Sequence, residues 1–237
     1  MDVRHDCGGA VVADGTMIYL SSSTNLPEQY KWNEFGVMFS AKYTIGGLTQ
    51  ALDDSAPWMM DNNQFAGGFD AATWCGAMLK YAPYKATCLG IPVPDVVGDA
   101  LATLRMFSQY WRIVHDLGYP VAFVSQDGIT PELTPWDYFD VLFVGGTDEH
   151  KLGNEAGAMI AEAKQRGKWV HVGRVNSASR IKQFWMCDSV DGTGLSIDAG
   201  TQRVIRVKEY VNAIHYCRNR KAGKLGVNGQ YQLTEVA

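Results

Sequence analysis

Residues 101–128 read LATLRMFSQYWRIVHDLGYPVAFVSQDG, and two different periods meet inside them. Leu101, Leu104, Phe107, Trp111, Val114 and Leu117 recur at steps of three and four, which places them on one face of a helix. Gly118 and Pro120 stop that helix, because glycine accepts a left-handed cap and proline cannot continue the backbone bonding. Val121–Ser125 follows as a short apolar run, the pattern of a strand buried on both faces, and Gln126, Asp127 and Gly128 end it. A helix feeding such a strand is part of a parallel βα repeat.

The same alternation continues outward. Candidate strands are Met17–Leu20, Gly36–Phe39, Trp58–Asp61, Ala86–Val93, Val121–Ser125, Val141–Gly145, Trp169–Gly173 and Phe184–Cys187. Helical spacing returns at Ala156, Met159, Ile160 and Ala163, ended by Gly167, and again at Val204, Val207, Val211 and Ile214. The first two units are irregular. Eight such units in 237 residues predict an α/β fold, a single-domain (βα)8 TIM barrel with reduced insertions. No linker, repeat or low-complexity tract divides residues 1–237, and residues 222–237 read as a C-terminal extension.

Apolar residues make up 46% and charged residues 19%, enough for a sizeable core and too little charge for a disordered chain. No run approaches the roughly 20 apolar residues of a membrane span, so no membrane partner is expected. The start, MDVRHDCGGAVVADG, lacks the charged n-region and long apolar run of an export signal. Cys7, Cys75, Cys88, Cys187 and Cys217 are scattered and odd in number, which fits a reducing, cytoplasmic location. No CxxC, CxCxxC or HxxxH spacing occurs, so no metal is expected, and His215 with Cys217 reads as a helix pair.

The net charge of −4 argues against coating nucleic acid by bulk electrostatics. Charge is nonetheless uneven. Arg203, Arg206, Lys208, Arg218, Arg220, Lys221 and Lys224 face only Glu209 in that stretch, which suits either a solvated helix face or a phosphate-binding patch.

Barrels of this type carry their chemistry at the C-terminal strand ends. Those positions hold Asp61, Asp95, Gln126, Gly145, Gly146, Gly173, Arg174 and Asp188. A single such aspartate commonly caps the next helix, but several converging there are costly to desolvate unless they serve a ligand. Phe65, just beyond Asp61, can stack on a flat ring or belong to the core. Gln126 both donates and accepts. Gly145 and Gly146 let the backbone approach a ligand closely. At the eighth strand, Asp191 before Gly192 reads as a turn residue, leaving Asp188 as the chemical group.

Five segments in order resemble the guanine transglycosylase family: MMDNNQFAGG (59–68), IPVPDVVGDA (91–100), FVSQDG (123–128), FDVLFVGGTDEH (139–150) and MCDSVDGT (186–193). Carried over residue by residue, the resemblance makes Asp188 a nucleophile at the sugar C1′ and Asp61 the general acid/base. Phe65 becomes a stacking partner, Asp95 and Gln126 read the base with Asp99 competing for the role of Asp95, and Gly145 and Gly146 contribute backbone contacts.

The tRNA-modifying members carry a CxCxxC…H zinc site and a basic subdomain that this sequence does not show, and the segment after Asp188 departs from their Pro-Thr-Arg. In HVGRVNSASR (171–180), Arg174, Asn176, Ser177 and Arg180 suit a nucleic-acid phosphate. The sequence thus resembles the DNA-guanine transglycosylases of phage and bacterial 7-deazaguanine DNA-modification systems. That resemblance implies DNA, guanine and a free 7-deazaguanine base, such as the 7-cyano form, as partners, with no cofactor. It also implies a bacterial host cytoplasm for a phage-encoded chain. A tRNA substrate or a non-catalytic nucleic-acid-binding barrel is the alternative, and the oligomeric state is left open.

Overall fold

Most strands form on runs of apolar and β-branched residues, and all eight pair in parallel and in sequence order. A computed structural model of the chain describes residues 15–64, 68–197 and 199–223. The strands are β1 (Ile18–Ser21), β2 (Phe35–Ser40), β3 (Trp58–Asp61), β4 (Cys88–Pro92), β5 (Val121–Ser125), β6 (Val141–Val144), β7 (Trp169–Val172) and β8 (Ser189–Gly192). β8 bonds to β1 as well as to β7, so the sheet closes into a TIM barrel, as the alternation predicts.

The helices are α1 (Leu48–Asp53), α2 (Ala71–Lys80), α3 (Ala100–Asp116), α4 (Asp148–Leu152), α5 (Asn154–Gln165), α6 (Ala178–Gln183), α7 (Gly194–Ile197) and α8 (Gly200–Lys221). Among the described residues, β1 and β5 are followed only by single-turn 3-10 segments, Glu28–Tyr30 and Trp136–Tyr138.

Strand alternation divides the core into two shells. Ile18, Leu20, Met59, Leu89, Ala122 and Val141 cluster inside the barrel. Their neighbours point outward to the helices: Tyr19 of β1 packs on Tyr210 of α8 at 4.8 Å, and Phe107 of α3 meets Phe123 of β5 edge-on at 5.1 Å. Each buried aromatic of this kind contributes about 2–3 kcal/mol. On α3, Phe107 and Val114 are buried as the spacing predicts, but Leu101 is 59% exposed. Thr103 takes the inward position in that first turn, because its hydroxyl accepts from Val96 N–H at 2.9 Å.

The last strand differs from the sequence reading. Phe184–Cys187 is not a strand: Phe184 caps α6, and Cys187 N–H bonds back to Phe184 O at 2.9 Å. Phe184, Trp185 and Cys187 pack against the outer core in the turn that follows the helix. The strand is Ser189–Gly192, and all of its residues are buried. The shift moves Asp188 from the C-terminal end to the N-terminal end of the barrel, immediately before β8 begins.

There Asp188 is fully occupied. Lys164 Nζ donates to its two oxygens at 2.9 and 2.7 Å, Lys221 Nζ lies at 3.2 Å, and Val170 N–H donates at 2.8 Å. Lys221 also bonds Thr16 O and Cys187 O, both at 2.6 Å, while Arg218 bonds Met17 O and Asn33 O. These members of the basic cluster therefore tie α8 to the barrel's N-terminal end, and Arg203 donates to Ser23 Oγ at 2.6 Å. Lys224 lies outside the described residues.

Asp188→Ala removes the shared partner of two lysines. Fully buried pairs lose about 3–5 kcal/mol on such a truncation. Lys164 keeps about a third of its side chain in water, so a smaller loss, about 2 kcal/mol, is expected in urea denaturation. The carboxyl titration of Asp61, at the other end of the barrel, should not move.

Candidate functional site

The C-terminal strand ends surround a cavity of about 190 Å³. Each of strands β3 to β8 places a polar group or a glycine on its wall: Asp61 and Asn62, Asp95, Gln126, Gly145 and Gly146, Gly173 and Arg174, and Asp191. Met38, Val124 and Phe143 supply apolar surface between them.

Asp95 is the centre of a buried network. Asn62 Nδ2 donates to Asp95 Oδ1 at 2.8 Å and to Val93 O at 3.1 Å, while Gln126 Nε2 donates to Asp95 Oδ2 at 2.5 Å. Gly98 N–H donates to Gln126 Oε1 at 2.9 Å, which sets the direction of the amide. Asp95 N–H also bonds this carboxyl, and Gln126 retains one N–H. The arrangement can therefore accept an N–H donor from a planar ligand and return one donor. Burial raises the Asp95 carboxyl above its ordinary value, opposed by Asn62, Gln126 and the charge of Arg174.

Asp61, the last residue of β3, is pushed up to about 6. Burial is the largest cause, followed by repulsion from Asp191 and Asp95, while the N–H groups of Asn63 and Asn62 oppose the shift. Such a group holds and releases a proton near neutrality, the property of a general acid/base.

Asp191 is the third carboxylate. Its Oδ1 accepts Arg174 N–H at 2.8 Å, and its Oδ2 lies 3.0 Å from His171 Nε2. Arg174 has φ 60°, and that left-handed turn aims its N–H at Asp191 while its guanidinium bonds Gly146 O. Asn63, beside Asp61, has φ 66°. Each costs on the order of 1 kcal/mol, and such strain clusters where a site needs it.

The glycines clear the wall. A Cβ on Gly145 would lie 2.8 Å from Val124 Cγ1 and 2.9 Å from Gln126 Nε2, displacing the reading amide. Gly145 N–H is spent on Ser125 O at 3.0 Å, so the expected ligand contact from that N–H is corrected.

Of the residues expected from sequence, Asp61, Asp95, Gln126, Gly145, Gly146 and Arg174 meet in this cavity. Asp188 does not, because of the shifted strand. Asp99 is a helix cap, accepting Ala102 N–H at 2.9 Å, and is not a pocket group. Asn176 Oδ1 accepts Thr193 N–H at 2.8 Å, Ser177 caps α6, and Arg180 pairs with Asp148 at 2.9 Å, so all three hold loops together outside the cavity. Phe65 lies outside the described residues. Sequence reasoning missed Asn62 and His171 and set Asp191 aside. A polar-apolar alternation at Trp169–Val172 and Ser189–Gly192 was the available signal for the last two.

Fold and site together define the class: a TIM barrel with a carboxylate-lined pocket at its C-terminal mouth. No family model and no curated protein matches the chain. Among solved structures, it is similar to a 4-hydroxy-2-oxoglutarate aldolase/2-deydro-3-deoxyphosphogluconate aldolase from TTHB1. That match has 8% identity, covers 88% of this chain and 98% of that one, and has a TM-score of 0.51. Tryptophan synthase from M. tuberculosis is 13% identical over 88% of this chain and 94% of that one, with a TM-score of 0.47. Tryptophan synthase subunit alpha from Legionella pneumophila is 10% identical over 84% and 92%, also at 0.47. At these identities the likeness is one of fold. Among the described residues, no helix is long and apolar enough to cross a membrane, and no group of three or more His, Cys, Asp or Glu is placed to hold a metal.

Asp61 gives the site a pH signature. Its carboxyl moves from 3.8 to about 6 on folding, so the folded protein holds an extra proton between those values. Stability then falls as pH rises from about 4 to about 6, by about 3 kcal/mol in total. Urea denaturation across that range should show the wild type losing about that much more stability than Asp61→Asn as pH rises. An unchanged pH dependence in the variant contradicts the assignment.

Proposed function

We propose that the chain is a DNA-guanine transglycosylase, exchanging guanine in DNA for a 7-deazaguanine base, with Asp191 as nucleophile and Asp61 as general acid/base. The observation that carries this reading is the convergence of Asp61, Asp191 and the Asp95–Gln126 network in one cavity. The resemblance supplies the reaction class, and because Asp188 lies at the opposite end of the barrel, Asp191 takes the nucleophile's role in this reading.

In the proposed reaction, the target guanine leaves the DNA stack, at a cost of roughly a few kcal/mol. The Watson–Crick edge of guanine presents N1–H and a 2-amino group side by side, donors of the kind the Asp95 carboxylate accepts. The remaining Gln126 N–H serves O6. Asp191 attacks C1′, forming an ester bond as the C1′–N9 bond breaks, and Asp61 gives its proton to the departing guanine. The incoming base then loses its N9 proton to Asp61 and attacks C1′, releasing Asp191. Protons and bonds balance over the cycle.

Phe143 and Met38 offer the base apolar contact, and Gly145 and Gly146 keep its rim unobstructed. The glycosyl ester makes the reaction a retaining double displacement in the manner of two-carboxylate glycosyl transfer.

The test is incorporation of radiolabelled guanine, and of labelled 7-cyano-7-deazaguanine, into duplex DNA, single-stranded DNA and tRNA. DNA incorporation is expected, with Asp191→Ala slower on the order of 10⁴-fold or more and Asp188→Ala unchanged per folded molecule. Asp95→Asn places a donor against a donor and should weaken base binding about 100-fold. Incorporation into tRNA alone would reassign the polymer. Binding of DNA without incorporation into any polymer would make the barrel a non-catalytic binding subunit.

A further inference from the structure

The Asp191 carboxylate is held by a chain of hydrogen bonds that runs away from the cavity, and its chemistry determines the state of each member. The Trp169 indole is a donor only, and its Nε1–H reaches Ser189 Oγ at 2.8 Å. The hydroxyl of Ser189 is thus an acceptor on that side, and its proton and second lone pair face His171 Nδ1, also at 2.8 Å. The Asp191 carboxylate can only accept, so the proton of a neutral imidazole sits on Nε2, aimed at Asp191 Oδ2 at 3.0 Å, and Nδ1 takes the Ser189 proton. His171 is 0% exposed and tilts against Phe143 with ring centroids 4.6 Å apart, so no solvent competes for the ring and it has no room to turn.

We infer that His171 is a positioning residue for the nucleophile, held in its Nε2–H tautomer between the Asp191 carboxylate and the Ser189 hydroxyl so that Asp191 points one lone pair at the reacting carbon. This inference rests on the reading of Asp191 as nucleophile. With Oδ1 fixed by Arg174 N–H and Oδ2 by His171, the carboxylate cannot rotate, and each oxygen still has a free lone pair. The arrangement acts on the attack step rather than on base binding, since none of Trp169, Ser189 and His171 lines the cavity.

Two measurements test it. In protein labelled with ¹⁵N-histidine, long-range ¹H–¹⁵N correlation should show His171 as the Nε2–H tautomer, and Asp191→Asn, whose amide can donate to Nε2, should let the Nδ1–H form appear. An Nδ1–H tautomer in the wild type overturns the inference, whether or not the protein exchanges bases. In the exchange assay, His171→Phe should lower kcat on the order of 10–100-fold with KM for the free base unchanged. His171→Gln, which keeps an N–H donor at similar reach, should recover at least about 5-fold of that loss. Equal losses in the two variants, or a loss confined to KM, overturn the positioning role. Absence of exchange by the wild type overturns the transglycosylase reading alone, and the tautomer measurement still decides whether His171 holds Asp191.

Discussion

Closure of this barrel depends on Ser189–Gly192, a strand that must bond to β1 on one side and β7 on the other. Its register is pinned from both neighbours, with Ile18 opposite Ser189 and His171 opposite Ser189. Successive side chains in a strand point to opposite faces, so a fixed register leaves no freedom in which residues enter the barrel. Ser189 and Asp191 face inward, Val190 packs outward, and Asp188 stays at the far end with Lys164 and Lys221. A one-residue slip would bury Val190 among polar groups and expose His171 to an unmatched neighbour. The strand's register and the chemistry of the pocket are one constraint.

The three carboxylates of the cavity live in different environments, and that separates what they can do. Asp95 is bonded on both oxygens by side-chain amides and Asp191 by a backbone N–H and an imidazole. Asp61 is buried, has only neighbouring backbone N–H groups and feels the repulsion of both others, and it is raised to about 6. Two anchored carboxylates and one proton carrier is the division of labour expected of acid/base and covalent chemistry in one site. The stability cost of that crowding is concentrated on Asp61, and the opposite end of the barrel, stapled by Arg218 and Lys221, carries structural ion pairs instead.

Much of the molecule was legible in its residues. The spacing from Leu104 to Val114 and the runs at Val121–Ser125 and Val141–Val144 identify βα units because burial on both faces favours apolar strands. Asp61, Asp95 and Gln126 were found because each directly follows or ends such a run. β8 was hidden for the same physical reason that it matters: its inward positions are Ser189 and Asp191, polar residues satisfied by His171 and Trp169, so it has no apolar signature. The apolar Phe184–Cys187 nearby, which forms the turn after α6, drew the strand assignment five residues too early. Asp99, Ser177 and Arg180 matched site positions in sequence but spend their side chains on caps and an ion pair, which only the fold reveals.

The central claim is that the carboxylate which attacks the sugar stands in β8, at Asp191, and not before it at Asp188. The most direct measurement is to quench the protein with DNA and a labelled base during turnover, digest it, and locate the glycosyl-ester adduct by mass spectrometry. The account predicts an adduct on Asp191 in the peptide that spans both aspartates. An adduct on Asp188, or sustained exchange with no adduct on Asp191, would contradict it.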